Sequence, residues 1–197
     1  MEMATWIVLV ATVVVVLWIM AVFNALVQRR NRIANAYAQI DVQLKRRYDL
    51  IPNLVEVAKR YLAHEASTLE AVTRARGAAV TAAAAARVRP TDAATVNLLA
   101  AAEQELGGSM GRLMALAEAY PELKADATMR SLGEELTSTE NRIGFARQAY
   151  NDEVLAYNDA ASQFPALLAA RMFGFELAAM LQSTQSAQER EAPRLAF

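Results

Sequence analysis

His64-Glu65 is the one place in this 197-residue chain where an imidazole and a carboxylate stand together, and it is the only histidine available. The helical zinc-protease motif needs a second histidine four positions on, so that two imidazoles share one helix face. Here the run continues Ala66-Ser67-Thr68. A di-iron bundle needs Glu-x-x-His steps, and position 61 is Tyr. With no cysteine there are no thiolate ligands and no disulfides. Serine nucleophiles lack a base other than His64, and no glycine-rich loop followed by lysine could cradle a phosphate. These absences point to a protein that is not an enzyme and carries no cofactor, no metal and no small-molecule substrate.

The remaining polar density lies in two blocks. Residues 41–53 contain Asp41, Lys45, Arg46 and Asp49; residues 140–152 contain Glu140, Arg142, Arg147 and Asn151. Each mixes both charge signs with amides and aromatics. One reading is a solvated helix face with i,i+4 pairs such as Asp41 with Lys45, worth about 0.2–0.5 kcal/mol each. The other is a network between two helices that fixes their register or receives a partner, with the first four residues meeting the second four.

The elements that must position these blocks begin with an apolar stretch. Residues 4–23 hold twelve Ile, Val, Leu and Phe and no charge, and as a helix they match the ~30 Å hydrocarbon layer. Those twelve side chains favour insertion by about 4–7 kcal/mol. A cleaved signal peptide would need a basic start and a small-x-small cleavage site, and neither is present. Arg29, Arg30 and Arg32 follow the span, where they meet anionic headgroups and retain the C-terminal part on the cytoplasmic side. Residues 1–3 are then a short external N-terminus, 4–26 the transmembrane helix, 27–181 a helical bundle domain, and 182–197 a polar, disordered tail. Charge is divided along the chain: residues 29–89 carry 12 Lys+Arg against 5 Asp+Glu, and residues 90–197 carry 8 against 15. The two halves therefore balance within one fold. Nucleic acid is not an expected partner, since no aromatic platform accompanies the basic half.

Apolar residues recur at three- and four-residue steps throughout. Ile33, Tyr37, Ile40, Leu44, Tyr48 and Ile51 form one face, and the anchor is expected to continue as a rigid helix until Pro52 kinks or ends it near residue 49 or 50. A second run extends from 53 to about 86 and ends in nearly pure alanine. Arg89-Pro90-Thr91-Asp92 breaks the chain, with Thr91 or Asp92 as a cap. A third run carries Leu99, Leu106, Met110 and Leu113, with Gly107, Gly108 and Gly111 explained by close helix contact or a bend. The strongest run goes from Leu132 through Ile143, Tyr150 and Tyr157 to Phe164. The fold class is all-α: a transmembrane helix continuing into an antiparallel bundle of about four long helices. A short amphipathic C-terminal helix, rich in Leu, Met and Phe over residues 165–181, covers the bundle or lies in the membrane interface with Phe173 and Phe175.

The residues of 39–55, Gln-Ile-Asp-Val-Gln-Leu-Lys-Arg-Arg-Tyr-Asp-Leu-Ile-Pro-Asn-Leu-Val, closely resemble the LemA family of bacterial membrane proteins. So do Tyr120-Pro121-Glu122-Leu123, Thr139-Glu140-Asn141-Arg142-Ile143, Ala149-Tyr150-Asn151, Tyr157-Asn158 and Met172-Phe173-Gly174-Phe175. The resemblance implies a single-pass anchor in the bacterial inner membrane and a long helical bundle, and it supplies no catalytic residues. The chain is thus expected to be a membrane-tethered helical scaffold that self-associates, or contacts another membrane protein, near the bilayer. The alternatives are an accessory subunit of a membrane protease or envelope-stress system, and a membrane-shaping protein.

Overall fold

The computed structural model describes residues 2–181; the polar stretch 182–197, expected to be disordered, lies outside them. Six helices follow one another: α1 (Glu2–Lys59), α2 (Ala66–Val88), α3 (Ala93–Ala119), α4 (Pro121–Ala125), α5 (Ala127–Ser162) and α6 (Ala166–Met172). No strand occurs among the described residues, so the chain is all-α. α1 runs beside α5 and α2, and α2 lies on α3.

α1 is a single helix of 58 residues, about 87 Å long at 1.5 Å per residue. In its N-terminal part residues 2–18 are exposed, and the first fully buried residue is Leu26. That part is long and apolar enough to cross a membrane. From Ile33 onward the expected face is the core: Ile33, Tyr37, Ile40, Leu44, Tyr48 and Ile51 are all buried.

Pro52 neither ends the helix nor separates it from a second run at residue 53; α1 continues to Lys59. Proline removes the N–H that would have bonded the carbonyl four residues back, here that of Tyr48. Arg76 of α2 supplies the missing donor, its Nε lying 2.6 Å from the Tyr48 oxygen. The true break is the turn at residues 60–65, where the exposed His64 sits at the outer end of the bundle. There the Tyr61 hydroxyl donates to Asp126 at 3.0 Å. The backbone N–H of Met129 also donates to Asp126, capping α5 and holding that carboxyl below its ordinary range. Asp92 caps α3 in the same way, through the N–H of Thr95.

The alanine-rich end of α2 is a packing surface. Ala75, Ala79, Ala82, Ala83 and Ala86 are buried, and their small side chains let the Tyr37 hydroxyl reach the Ala83 carbonyl at 3.1 Å. The glycines of α3 have no such role: a Cβ added to Gly107, Gly108 or Gly111 would meet nothing within 4 Å. Close helix contact therefore does not explain them. Phe164, expected at the end of the core face of α5, is 80% exposed instead. The chain turns there, and helix resumes only for the seven residues of α6.

Pro52→Ala should remove the need for Arg76. In the native background Arg76→Ala leaves the Tyr48 carbonyl without its donor and should cost about 1–3 kcal/mol. With alanine at 52 the same change should cost well under half of that. Denaturant unfolding of the four full-length chains, followed by circular dichroism, measures the coupling; equal costs in both backgrounds would remove this explanation.

Candidate functional site

The two polar blocks lie on α1 and α5, which run side by side, and the helical period sorts their residues onto different faces. Lys45 bonds Asp49 at 2.6 Å on the exposed side of α1. Asp41 turns to α2 and accepts from Arg87 at 2.8 Å, so the Asp41–Lys45 pair does not form. Arg46 reaches Glu135 of α5 at 2.7 Å on the surface. Arg142 is exposed, and Arg147 lines a cleft of about 440 Å³ together with Glu140, Glu103 and Leu181.

Arg47, between the residues singled out from sequence, lines the same cleft. Its side chain is 8% exposed and pairs with Glu103 of α3, while its Nε lies 2.6 Å from Glu140 of α5. The second approach is one of charge, because the Nε–H is not aligned as a hydrogen bond. The Tyr48 hydroxyl donates to the other oxygen of Glu103. One guanidinium and one phenol of α1 thus hold carboxylates from α3 and α5. Burial pushes the Glu140 carboxyl up, opposed by the charge of Arg47. Burial likewise raises the hydroxyls of Tyr37, Tyr48, Tyr150 and Tyr157, keeping them protonated as donors.

Asn151 belongs to a different arrangement. Its amide donates to the Leu181 carbonyl and accepts from the Leu181 N–H, both at 2.9 Å. Asn158 does the same with Ala178, again at 2.9 Å in both directions. The Tyr157 hydroxyl donates to the Glu176 carbonyl at 2.7 Å. That of Tyr150 lies 2.8 Å from both the Ala179 and the Pro90 carbonyls and shares one proton between them. The segment after α6 is therefore not helical; it is held along α5 as irregular chain. The signal in the sequence is a Tyr-Asn pair repeated at seven residues, Tyr150-Asn151 and Tyr157-Asn158, which keeps both pairs on one helix face.

At the anchor end, Phe173 and Phe175 pack edge-to-face on Phe23, with ring centroids 5.1 and 5.5 Å apart. Between them Gly174 has φ +69°, the left-handed residue that ends a helix, and the Phe175 N–H returns to the Ala170 carbonyl. Arg29 donates to the Ala156 carbonyl of α5 at 3.2 Å, so it is tied to the helices it adjoins. Arg30 and Arg32 are exposed.

Ser109 stands within Gly107-Gly108-Ser109-Met110-Gly111, the spacing of a nucleophile elbow. Such an elbow is a strand-to-helix turn that exposes the serine. Ser109 is instead inside α3, 1% exposed, donating to the Leu106 carbonyl of its own helix. Among the described residues no group of three or more His, Cys, Asp and Glu could hold a metal.

Fold and site together define a membrane-associated helical protein, with an apolar anchor segment, a charged joint among α1, α3 and α5, and a strap along α5. The chain belongs to the LemA family, whose model matches residues 36–197. It is 26% identical over 183 residues to the magnetosome protein MamQ of Magnetospirillum gryphiswaldense, an alignment covering 82% of this chain and 67% of that one. The magnetosome proteins MamQ 1 and MamQ 2 of Paramagnetospirillum magneticum are 32% identical over 84 residues, 43% of this chain and 31% of each relative.

Glu103→Ala should leave both Arg47 and the Tyr48 hydroxyl without their shared acceptor and cost about 1–3 kcal/mol, since Glu140 still faces Arg47 and the Ala79 carbonyl lies 3.4 Å from the Tyr48 hydroxyl. Arg46→Ala, on the exposed pair, should cost under about 1 kcal/mol. Chemical unfolding of the purified full chains in detergent compares them. A second test uses pH. Because the Glu140 carboxyl is raised in the fold, the native state binds its proton more readily than the unfolded chain does. The native protein should therefore gain stability relative to Glu140→Gln as pH falls through that raised value. The difference should level off below the unfolded carboxylate value of about 4.3. A difference that shrinks on acidification would reverse the assignment.

Proposed function

We propose that this chain is a non-enzymatic, single-pass membrane anchor and helical scaffold, working through self-association or protein contacts close to a bacterial inner membrane. The N-terminus lies outside and the helices in the cytoplasm. One observation carries the reading: α1 is at once the apolar span and the central column of the packed helices, without a joint between them. Such a helix fixes the height and direction of everything packed on it. The basic residues after the span, Arg29, Arg30 and Arg32, support the cytoplasmic assignment. The charged joint around Arg47 supports a fixed arrangement of helices rather than a reaction centre, since its groups are paired with one another.

A second reading, membrane shaping, draws support from the anchor end. Phe164, Leu168 and Met172 are 80%, 58% and 62% exposed, next to Phe173 and Phe175 on Phe23. An apolar strip there fits the headgroup boundary of the bilayer in which α1 is anchored.

A phosphatase active only after export should be silent when fused behind residue 197, and a strongly active fusion would reverse the orientation. In detergent, light scattering should give a particle containing more than one chain; a strict monomer that also fails to cross-link in native membranes would overturn the scaffold. Deformation of anionic liposomes, lost on replacing Phe164, Leu168 and Met172 with Ser, would place membrane shaping first.

A further inference from the structure

The strap shows a numerical match between two periods. On α5 the Tyr-Asn pairs are seven residues apart, an advance of about 10.5 Å. On the strap the matching contacts are three residues apart: Glu176 and Ala179 for the two hydroxyls, Ala178 and Leu181 for the two amides. Three residues span at most about 10–11 Å when stretched. The segment is therefore held almost fully extended and antiparallel to α5, with the three-residue period of polyproline II. All six hydrogen bonds go to its backbone. Two side chains, Ala178 and Leu181, are buried at 6% exposure each, and Phe175 and Ala179 pack partly against the core, while Leu177 and Met180 face outward at 59% and 40%.

Six bonds to backbone and two shallow side-chain positions make up a peptide-binding site. Its ligand class is an extended segment with a small residue followed, three positions later, by leucine. We propose that the face of α5 carrying Tyr150, Asn151, Tyr157 and Asn158 is such a site, occupied in an isolated chain by its own residues 175–181 and open to the same segment of a second copy. The proposal rests on the self-associating reading above and gives it a contact.

Three features favour a second copy as the other occupant. Its strap is chemically identical, so the bonds are the same and only effective concentration separates the two sources. Anchored copies hold their sites at one height, because α1 sets the distance from the bilayer, and a neighbour's strap arrives at the matching level. The strap is also preceded by a short lead: α6 is seven residues long, with Ala169 and Ala170 buried and Leu168 and Met172 largely exposed. Exchange of such an element between copies makes no new kind of contact.

The test uses complementary full-length chains in lipid nanodiscs and membranes. One chain carries Ala178→Glu and Leu181→Glu, which evicts its strap and leaves the site vacant. The other carries Asn151→Ala and Asn158→Ala, which disables the site and leaves the strap free. A fluorescent peptide with the sequence of residues 175–181 should bind the first chain saturably, at least about tenfold tighter than it binds the native chain, whose site is filled. Adding the two asparagine changes to the first chain should abolish that binding. No binding, or binding insensitive to the asparagines, overturns the site. Co-reconstituted at high density, the two chains should co-purify through a tag on one of them, while each alone should not pair by this route. Peptide binding without co-purification overturns exchange between copies and keeps the site. Native oligomers that persist with Asn151→Ala and Asn158→Ala overturn exchange while leaving the scaffold standing. Should a variant fail to fold, amide exchange in the native chain decides the site. The N–H groups of Ala178 and Leu181 should exchange at least about tenfold slower than those of Leu177 and Met180, and equal rates overturn it.

Discussion

The arrangement depends on a carbonyl. Proline at position 52 deprives the Tyr48 oxygen of its helical partner, and a buried acceptor left in that state would favour opening the helix at that point. Arg76 fills the gap from a neighbouring helix. Residues 53–59 thereby stay in the same helix as residues 2–51, and Leu54, Val55, Val57 and Ala58 enter the same core as Ile33 and Leu44. Because one helix bears both the apolar anchor segment and the core column, α2, α3 and α5 inherit their positions from it.

The charged joint adjoins that carbonyl: Arg47 is the residue before Tyr48, and the Tyr48 hydroxyl itself bonds Glu103. A buried guanidinium between two carboxylates adds little net stability compared with apolar packing of the same volume, yet it tolerates only one axial position of α1 against α3 and α5. Apolar side chains are less exacting, since a Leu or Ala can slide against its neighbours with a modest loss. The exposed pairs Lys45–Asp49 and Lys59–Glu56 impose no such condition, being solvated at both ends. The buried tyrosines act alongside the joint: each presents a ring to the core and a hydroxyl to a backbone oxygen or carboxylate of another element.

What could be read from the residues alone follows from which forces are local. Periodicity is local, and the faces through Ile40, Leu106 and Ile143 are the core faces of the structure. Capping is local too, and Asp92 caps α3. The behaviour of Pro52 was not legible, because it is decided by an arginine 24 positions away. The polar blocks were legible as blocks but not as partners. Asp41 and Glu140 find Arg87 and Arg47, since a helix turns 100° per residue and adjacent side chains face different neighbours. The C-terminal segment looked helical by composition; instead the amides of Asn151 and Asn158 satisfy its backbone and make helix formation unnecessary from residue 175 onward. The repeated Tyr-Asn pair was visible in the sequence, but its meaning depends on an extended partner that no periodicity announces.

The absence of a joint in α1 has a mechanical corollary. When an apolar helix exceeds the thickness of its bilayer it leans, commonly by about 20° and over a range of 0–40°. A jointed anchor would absorb the lean at the membrane surface. In the single-pass arrangement proposed above, the roughly 50 Å of α1 beyond the span leans with it, as the long arm of a lever. A change of about 10° displaces its far end sideways by about 9 Å, so the thickness of the surrounding lipid is converted into lateral position of the outer turns around His64 and Asp126. Neighbouring copies in one membrane would lean by the same amount, and in membranes of different thickness they would present those turns at different distances from the bilayer.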